Sequence, residues 1–164
     1  MKSALGLICL FGALLVAADY LVQGGLIWLA GSALDMLDGA LARSQNQVSR
    51  GGAFLDSTLD RISEGALFTA IAYHFASQGA AAEAALTVVA LLGALLVSYT
   101  RARAEALGAE CKVGIITRAE RVVLLGLGLS LGLVAPAIVL LALLGAIAVA
   151  QRIHHTLREL EGKV

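Results

Sequence analysis

The chain has little that would interrupt a helix, cross-link a fold or hold it in water. It has one proline and two cysteines among 164 residues, 5% aromatics and 15% charged residues. A single proline leaves long helices free to run. Cys9 falls in an apolar stretch and Cys111 in a polar loop, which excludes a disulfide framework. Cys9 reads as a small packing residue, and Cys111 as a reduced loop thiol. The formal net charge is zero, and no nucleic-acid partner is expected. Basic residues are also missing from three places where the apolar stretches turn, and that absence orients the chain.

What is present is apolar. Hydrophobic residues make up 59% of the chain and the mean hydropathy is +0.87, against about 45–50% apolar residues in a soluble domain. Polar breaks divide the chain into six candidate spans, at 4–20, 24–43, 53–76, 80–101, 119–135 and 137–152. Each is near the ~17–25 residues that cross a bilayer. The expectation is an all-α integral membrane bundle of six transmembrane helices, forming one domain over residues 1–164. With a cytosolic N-terminus, all 12 basic residues fall on the inner side. The outer turns near Leu21–Gly25, Ser77–Glu83 and Val134–Pro136 hold none. The positive-inside rule therefore places both termini in the cytosol. Asp19 and Glu83 are the only acids expected outside. Residues 1–20 do not read as a cleavable signal, because Lys2 alone supplies a basic start.

The inner half carries the chemistry. Asp35 and Asp38 are three residues apart, and Asp56 and Asp60 are four apart, so each pair shares a helix face. A short polar loop makes their two helices antiparallel, and the pairs can face each other at similar depth. Carboxylates in a membrane segment demand compensation, and an all-oxygen ligand set suits Mg²⁺ or Mn²⁺. Two such ions would clamp a phosphate-bearing substrate. Salt bridges to Arg43, Arg50 and Arg61 are the plainer alternative, but three cations do not balance these four acids plus Glu64. Gly31 and Ser32 read as helix-packing residues. Gly39, between a carboxylate and an arginine, leaves room for a ligand to touch the backbone.

Taken together, Asp35-x-x-Asp38-Gly39-x-x-Ala42-Arg43, eight residues, then Gly52-x-x-x-Asp56-x-x-x-Asp60 resembles the signature of the CDP-alcohol phosphotransferases. The resemblance implies transfer of a phosphatidyl group from a CDP-linked lipid to an alcohol, with CMP leaving. It implies two Mg²⁺ or Mn²⁺ ions bridged by Asp35 and Asp56, with Asp38 on one ion and Asp60 on the other. Asp60 would also take the proton from the attacking hydroxyl. Gly39, Ala42, Arg43, Ser49 and Gly52 would line the cytidine diphosphate. Homodimers are usual in the family.

Three further stretches are similar to the phosphatidylinositol-phosphate synthase branch. They are Ser98-Tyr99-Thr100-Arg101-Ala102-Arg103-Ala104-Glu105, Arg118-Ala119-Glu120-Arg121 (an alanine where the branch has proline) and Gln151-Arg152-Ile153-His154. By that similarity Arg101, Arg103, Arg118, Arg121 and Arg152 would grip the phosphate of a small phosphorylated alcohol, inositol phosphate ahead of glycerol phosphate. Arginine suits such recognition because its fork binds phosphate oxygens in pairs. Read instead as inner-boundary anchors, the same arginines would have no ligand. The amphipathic helix with which family members begin has no counterpart ahead of the first span. An aspartate-rich prenyltransferase would need a larger bundle, and a divalent-cation carrier would need a polar path through outer halves that are almost wholly apolar.

Overall fold

A computed structural model describes residues 2–44 and 49–162, with the side chains of residues 2–4, 40 and 42–44 outside that description. Six helices and no strand form among the described residues: α1 Lys2–Ala17, α2 Leu21–Ser44, α3 Arg50–Ser77, α4 Ala81–Ala106, α5 Arg118–Ser130 and α6 Val134–Glu161. The order of packing is a closed ring, α1–α2–α5–α6–α4–α3 and back to α1. Successive helices run in alternating directions. The C-terminal parts of α2, α4 and α6 therefore meet the N-terminal parts of α1, α3 and α5 at one end.

Backbone proximity explains the small residues. A Cβ on Gly12 would lie 2.8 Å from the Gly24 carbonyl oxygen, and one on Gly24 would lie 2.6 Å from that of Gly12. The α1 and α2 backbones thus touch, the close approach that small residues permit. Further along the same pair, Gly31 and buried Ser32 pack on Cys9, in line with their packing assignment. Gly24→Val should therefore destabilise the fold by about 1–3 kcal/mol through overpacking. Thermal unfolding in detergent would register this as a lower midpoint, and an unchanged midpoint would show that the two helices can separate freely.

The interior is built from Trp28, Phe68, Ile71, Leu125, Leu129 and Leu141, all essentially buried. Outward faces carry large apolar side chains such as Leu7, Leu14, Leu37, Leu92 and Leu143. Apolar surface on that scale marks a face made for something other than water. Helices α4 and α6 are long and apolar enough to cross a membrane. Tyr20 and Tyr73 at one end and Tyr99 at the other are exposed.

Several expected boundaries move. The fifth span was expected to reach residue 135, but α5 stops at Ser130 after 13 residues. It gives way to a turn in which Gly132 takes φ +69°, a left-handed conformation that favours glycine. At about 1.5 Å per residue α5 is about 20 Å long, short of the ~30 Å hydrocarbon core. The last helix starts earlier than expected, so Pro136 lies in its first turn rather than in the loop before it. Its missing N–H costs nothing there. Gly51 and Gly52 belong to the first turn of α3, not to the preceding loop. Cys111 is a free thiol in the loop between α4 and α5, as expected, and is fully buried with Ala104 and Ala109.

Candidate metal and phosphate site

Asp35, Asp56 and Asp60 converge, one carboxylate oxygen from each lying within 4.8 Å of the others. Helix geometry does this: Asp56 and Asp60 stack one turn apart on α3, and Asp35 reaches them from the C-terminal half of α2. Trp28 ties the two helices nearby, its Nε1–H donating to the Ser63 carbonyl at 3.4 Å. Three half-buried carboxylates at this spacing offer oxygen ligands alone and fit a hard divalent cation. Asp38, half-buried and further along α2, is outside this group.

Arg118, at the first turn of α5, faces these acids. Its Nη2 lies 2.8 Å from Asp60 and its Nη1 3.8 Å from Asp35. The sequence reading gave Arg118 to the acceptor phosphate; the structure sets it between the aspartates and the neighbouring cavity, and it lines both. Its Nε is buried without a hydrogen-bond partner among the described residues. The start of α5 is fixed by Glu120, whose carboxylate accepts the Thr117 backbone N–H at 2.8 Å. This is the reaching-back half of a capping box.

A cavity of about 370 Å³ opens beside the aspartates, lined by Arg61, Arg101, Arg118, Arg121 and Arg152, with Glu105 as its one acid among the described residues. Four of the five arginines assigned to an acceptor phosphate meet there. Arg103 does not: it lines a separate groove with Tyr99 and Leu107. Positions two apart on a helix cannot share a face, so Arg101 and Arg103 diverge. Arg61, which the sequence offers as a salt-bridge partner of these acids, does lie 3.9 Å from Asp60 and also lines the cavity.

Two of these arginines are buried and each holds protein acceptors through two of its nitrogens. Arg121 is 2% exposed, and its Nε and Nη2 donate to the two oxygens of buried Glu64 at 2.8 and 3.0 Å. Arg152 donates to the Val113 carbonyl at 2.9 Å and to the Val97 carbonyl, tying α6 to α4 and to the loop before α5. Gly114 in that loop has φ +132°, and a Cβ there would meet Arg152 Nε at 3.1 Å. Gln151 accepts the Ile115 N–H at 2.9 Å. The Gln-Arg-x-His stretch is thus partly a clamp on the α4–α5 loop. At the loop's exposed edge Lys112 pairs with Glu110, and their hydrogen bond holds that carboxyl below its usual range.

On the donor side, Gly39 is buried, and the side chains of Ala42 and Arg43 lie outside the described residues. Ser49 is the N-cap of α3, its Oγ accepting the Gly52 N–H at 3.0 Å, so these two residues shape a helix start. Next to the aspartates runs an apolar groove of about 320 Å³ between α1 and α3, bounded by Leu7, Leu10, Leu55 and Ile62. It shares Gly6, Leu59 and Ser63 with the aspartate cavity. Through Leu10 it continues into a wider groove of about 620 Å³ toward Tyr73. His74 is at that far end, Nδ1 2.7 Å from Asp19, away from the acids.

Known proteins resemble this chain in sequence and in fold. Residues 2–154 match the family described as CDP-alcohol phosphatidyltransferase. An archaetidylinositol phosphate synthase of Methanothermobacter thermautotrophicus is 39% identical over 151 residues, covering 88% of this chain and 75% of that protein. The crystal structure of Mycobacterium tuberculosis phosphatidylinositol phosphate synthase with CDP-DAG bound superposes with a TM-score of 0.87 at 31% identity. That match covers 94% of this chain and 83% of the other. The same enzyme in complex with manganese and citrate gives 0.84 at 30% identity, over 94% and 79% of the two chains.

Proposed function

The chain belongs to the CDP-alcohol phosphatidyltransferase family, and from that premise we propose that it transfers the phosphatidyl-type group of a CDP-linked lipid to a hydroxyl of inositol phosphate, releasing CMP. The observation that carries this reading is the juxtaposition of the three converged carboxylates with a cavity of five arginines. One half suits a divalent cation, the other a phosphorylated acceptor. The inositol-phosphate synthases among the relatives support that acceptor.

Asp35, Asp56 and Asp60 would hold the metal, with Asp38 from the signature; two Mg²⁺ or Mn²⁺ ions fit the family pattern. When bound, the metal neutralises the diphosphate and polarises the phosphorus under attack. Asp60 takes the acceptor's hydroxyl proton, which a weak alcohol nucleophile requires. A bond forms from that oxygen to the lipid-bearing phosphorus, and the bridging P–O bond to CMP breaks. Arg118, in contact with Asp60 and also at the basic cavity, links the base to the acceptor. Gly39, Ala42 and Arg43 serve the cytidine diphosphate. The apolar groove between α1 and α3 receives a lipid chain of the donor, as its continuity with the aspartate cavity supports.

The same reading makes this a multi-pass membrane enzyme with both termini and the active site on the cytosolic side. The distribution of its 12 basic residues supports that orientation. A homodimer is the expected assembly.

The test is CMP release by the purified protein in detergent with a CDP-linked diacyl or dialkyl lipid and Mg²⁺ or Mn²⁺. Inositol phosphate, glycerol phosphate, free inositol and serine are offered separately. Release with inositol phosphate alone is the expected result. Release with an unphosphorylated alcohol would overturn the acceptor assignment.

A further inference from the structure

Arg103 is the basic residue of the Ser98–Glu105 stretch that the arginine cavity leaves out. It lines a groove of about 200 Å³ between α4 and α6. The two helices meet in mid-bundle, where a Cβ on Gly93 would lie 3.6 Å from the Gly145 Cα. Toward the other end they leave space between Tyr99, Arg103 and Leu107 on one side and Ile153, Leu157 and Leu160 on the other. Spacings of three and four put each trio on a single helix face. All but Arg103 are apolar or aromatic, and no acid lines the groove among the described residues.

Arg103 differs from its basic neighbours. Arg61, Arg101, Lys112, Arg118 and Arg121 each pair with a carboxylate. Arg152, which also lines the groove, is buried and donates to the Val113 and Val97 carbonyls. Arg103 is exposed and makes no ion pair among the described residues. A stem lying along apolar surface thus ends in a fork left for an anion from outside the chain. The orientation proposed above sets this end at the cytosolic leaflet, whose anionic lipids fill basic pockets between helices. We propose that the α4–α6 groove binds one anionic phospholipid of that leaflet, its phosphate on Arg103 and its apolar part against Tyr99 and Ile153. A bare phosphate ion would leave those walls in water, and a zwitterionic lipid would bring its own cation to the phosphate. The groove shares no lining residue with the aspartate cavity or the donor groove.

The experiment is native mass spectrometry of the purified full chain released from detergent, with dioleoyl phosphatidylglycerol or dioleoyl phosphatidylcholine added. It compares wild type with Arg103→Gln, Ile153→Asn and Arg158→Gln, and CMP release is measured beside it. Wild type should hold one phosphatidylglycerol roughly 10-fold more strongly than phosphatidylcholine, the scale of one charge-assisted contact. Arg103→Gln should lose that preference, and Ile153→Asn should weaken both lipids. Arg158→Gln, which removes an exposed cation further along α6, should match wild type. KM for inositol phosphate should stay within about twofold in Arg103→Gln. Lipid retention is read without turnover, so failure of the proposed reaction leaves this test standing. Equal retention of the two lipids by wild type, or an undiminished preference in Arg103→Gln, would overturn the site. A dimer that Ile153→Asn splits, with no lipid preference, would make the groove a contact between copies and overturn it too. A raised acceptor KM in Arg103→Gln, with lipid preference unchanged, would return Arg103 to the acceptor phosphate.

Discussion

Asp60→Asn is expected to reduce CMP release by about 10³-fold or more while the protein still folds. Two losses combine. General-base catalysis is worth about 10²–10⁴ in rate, and the same substitution removes one of three converged carboxylate ligands. The amide keeps the size of the acid, so the local packing is retained. It also leaves Arg118 without its 2.8 Å anionic partner. Asp56→Asn separates the two contributions, because it removes a ligand and leaves the base. Mn²⁺ titration by calorimetry should show weakened binding in both variants. With saturating metal, Asp56→Asn should regain more activity than Asp60→Asn. Equal recovery of both would show that Asp60 acts through the metal alone and that another group takes the proton.

The convergence of Asp35, Asp56 and Asp60 was legible because it depends on local periodicity: spacings of three and four on helices that a short loop must fold back on each other. Six helices were legible from hydropathy for the same reason. What the sequence did not disclose depends on contacts between distant segments. Nothing local says that Arg118, 58 residues from Asp60 in the numbering, turns toward the aspartates. Arg101 and Arg103 look like one motif on paper, yet a helix separates them onto different faces. Arg61 reads from sequence as a counter-ion, and it does lie 3.9 Å from Asp60, but its place at a cavity is set by how α3, α4 and α5 surround it. The early stop of α5 could have been suspected from Gly126, Gly128 and Gly132, which weaken a helix interior. The hydropathy of the segment masks that signal.

The second large effect concerns Glu64, which the sequence showed only as one acid too many. Its carboxylate is buried and accepts both Arg121 bonds, joining α3 to α5 across 57 residues. A buried pair of this kind is strong only while complete. Glu64→Ala leaves an unpaired guanidinium in an apolar interior and should cost about 3–5 kcal/mol. Thermal or denaturant unfolding in detergent should show a markedly lower midpoint. Replacing both partners with apolar residues, Glu64→Leu with Arg121→Met, removes the uncompensated charge and should restore most of the stability, since such replacements are often neutral. Activity should not return with it. Arg121 contributes its charge to the basic cavity, so the double variant should keep a raised KM for the phosphorylated acceptor. Recovery of both stability and KM would reduce Arg121 to a strut between α3 and α5. Recovery of neither would mean that the register of α5, and with it the placement of Arg118 against Asp60, depends on this one pair.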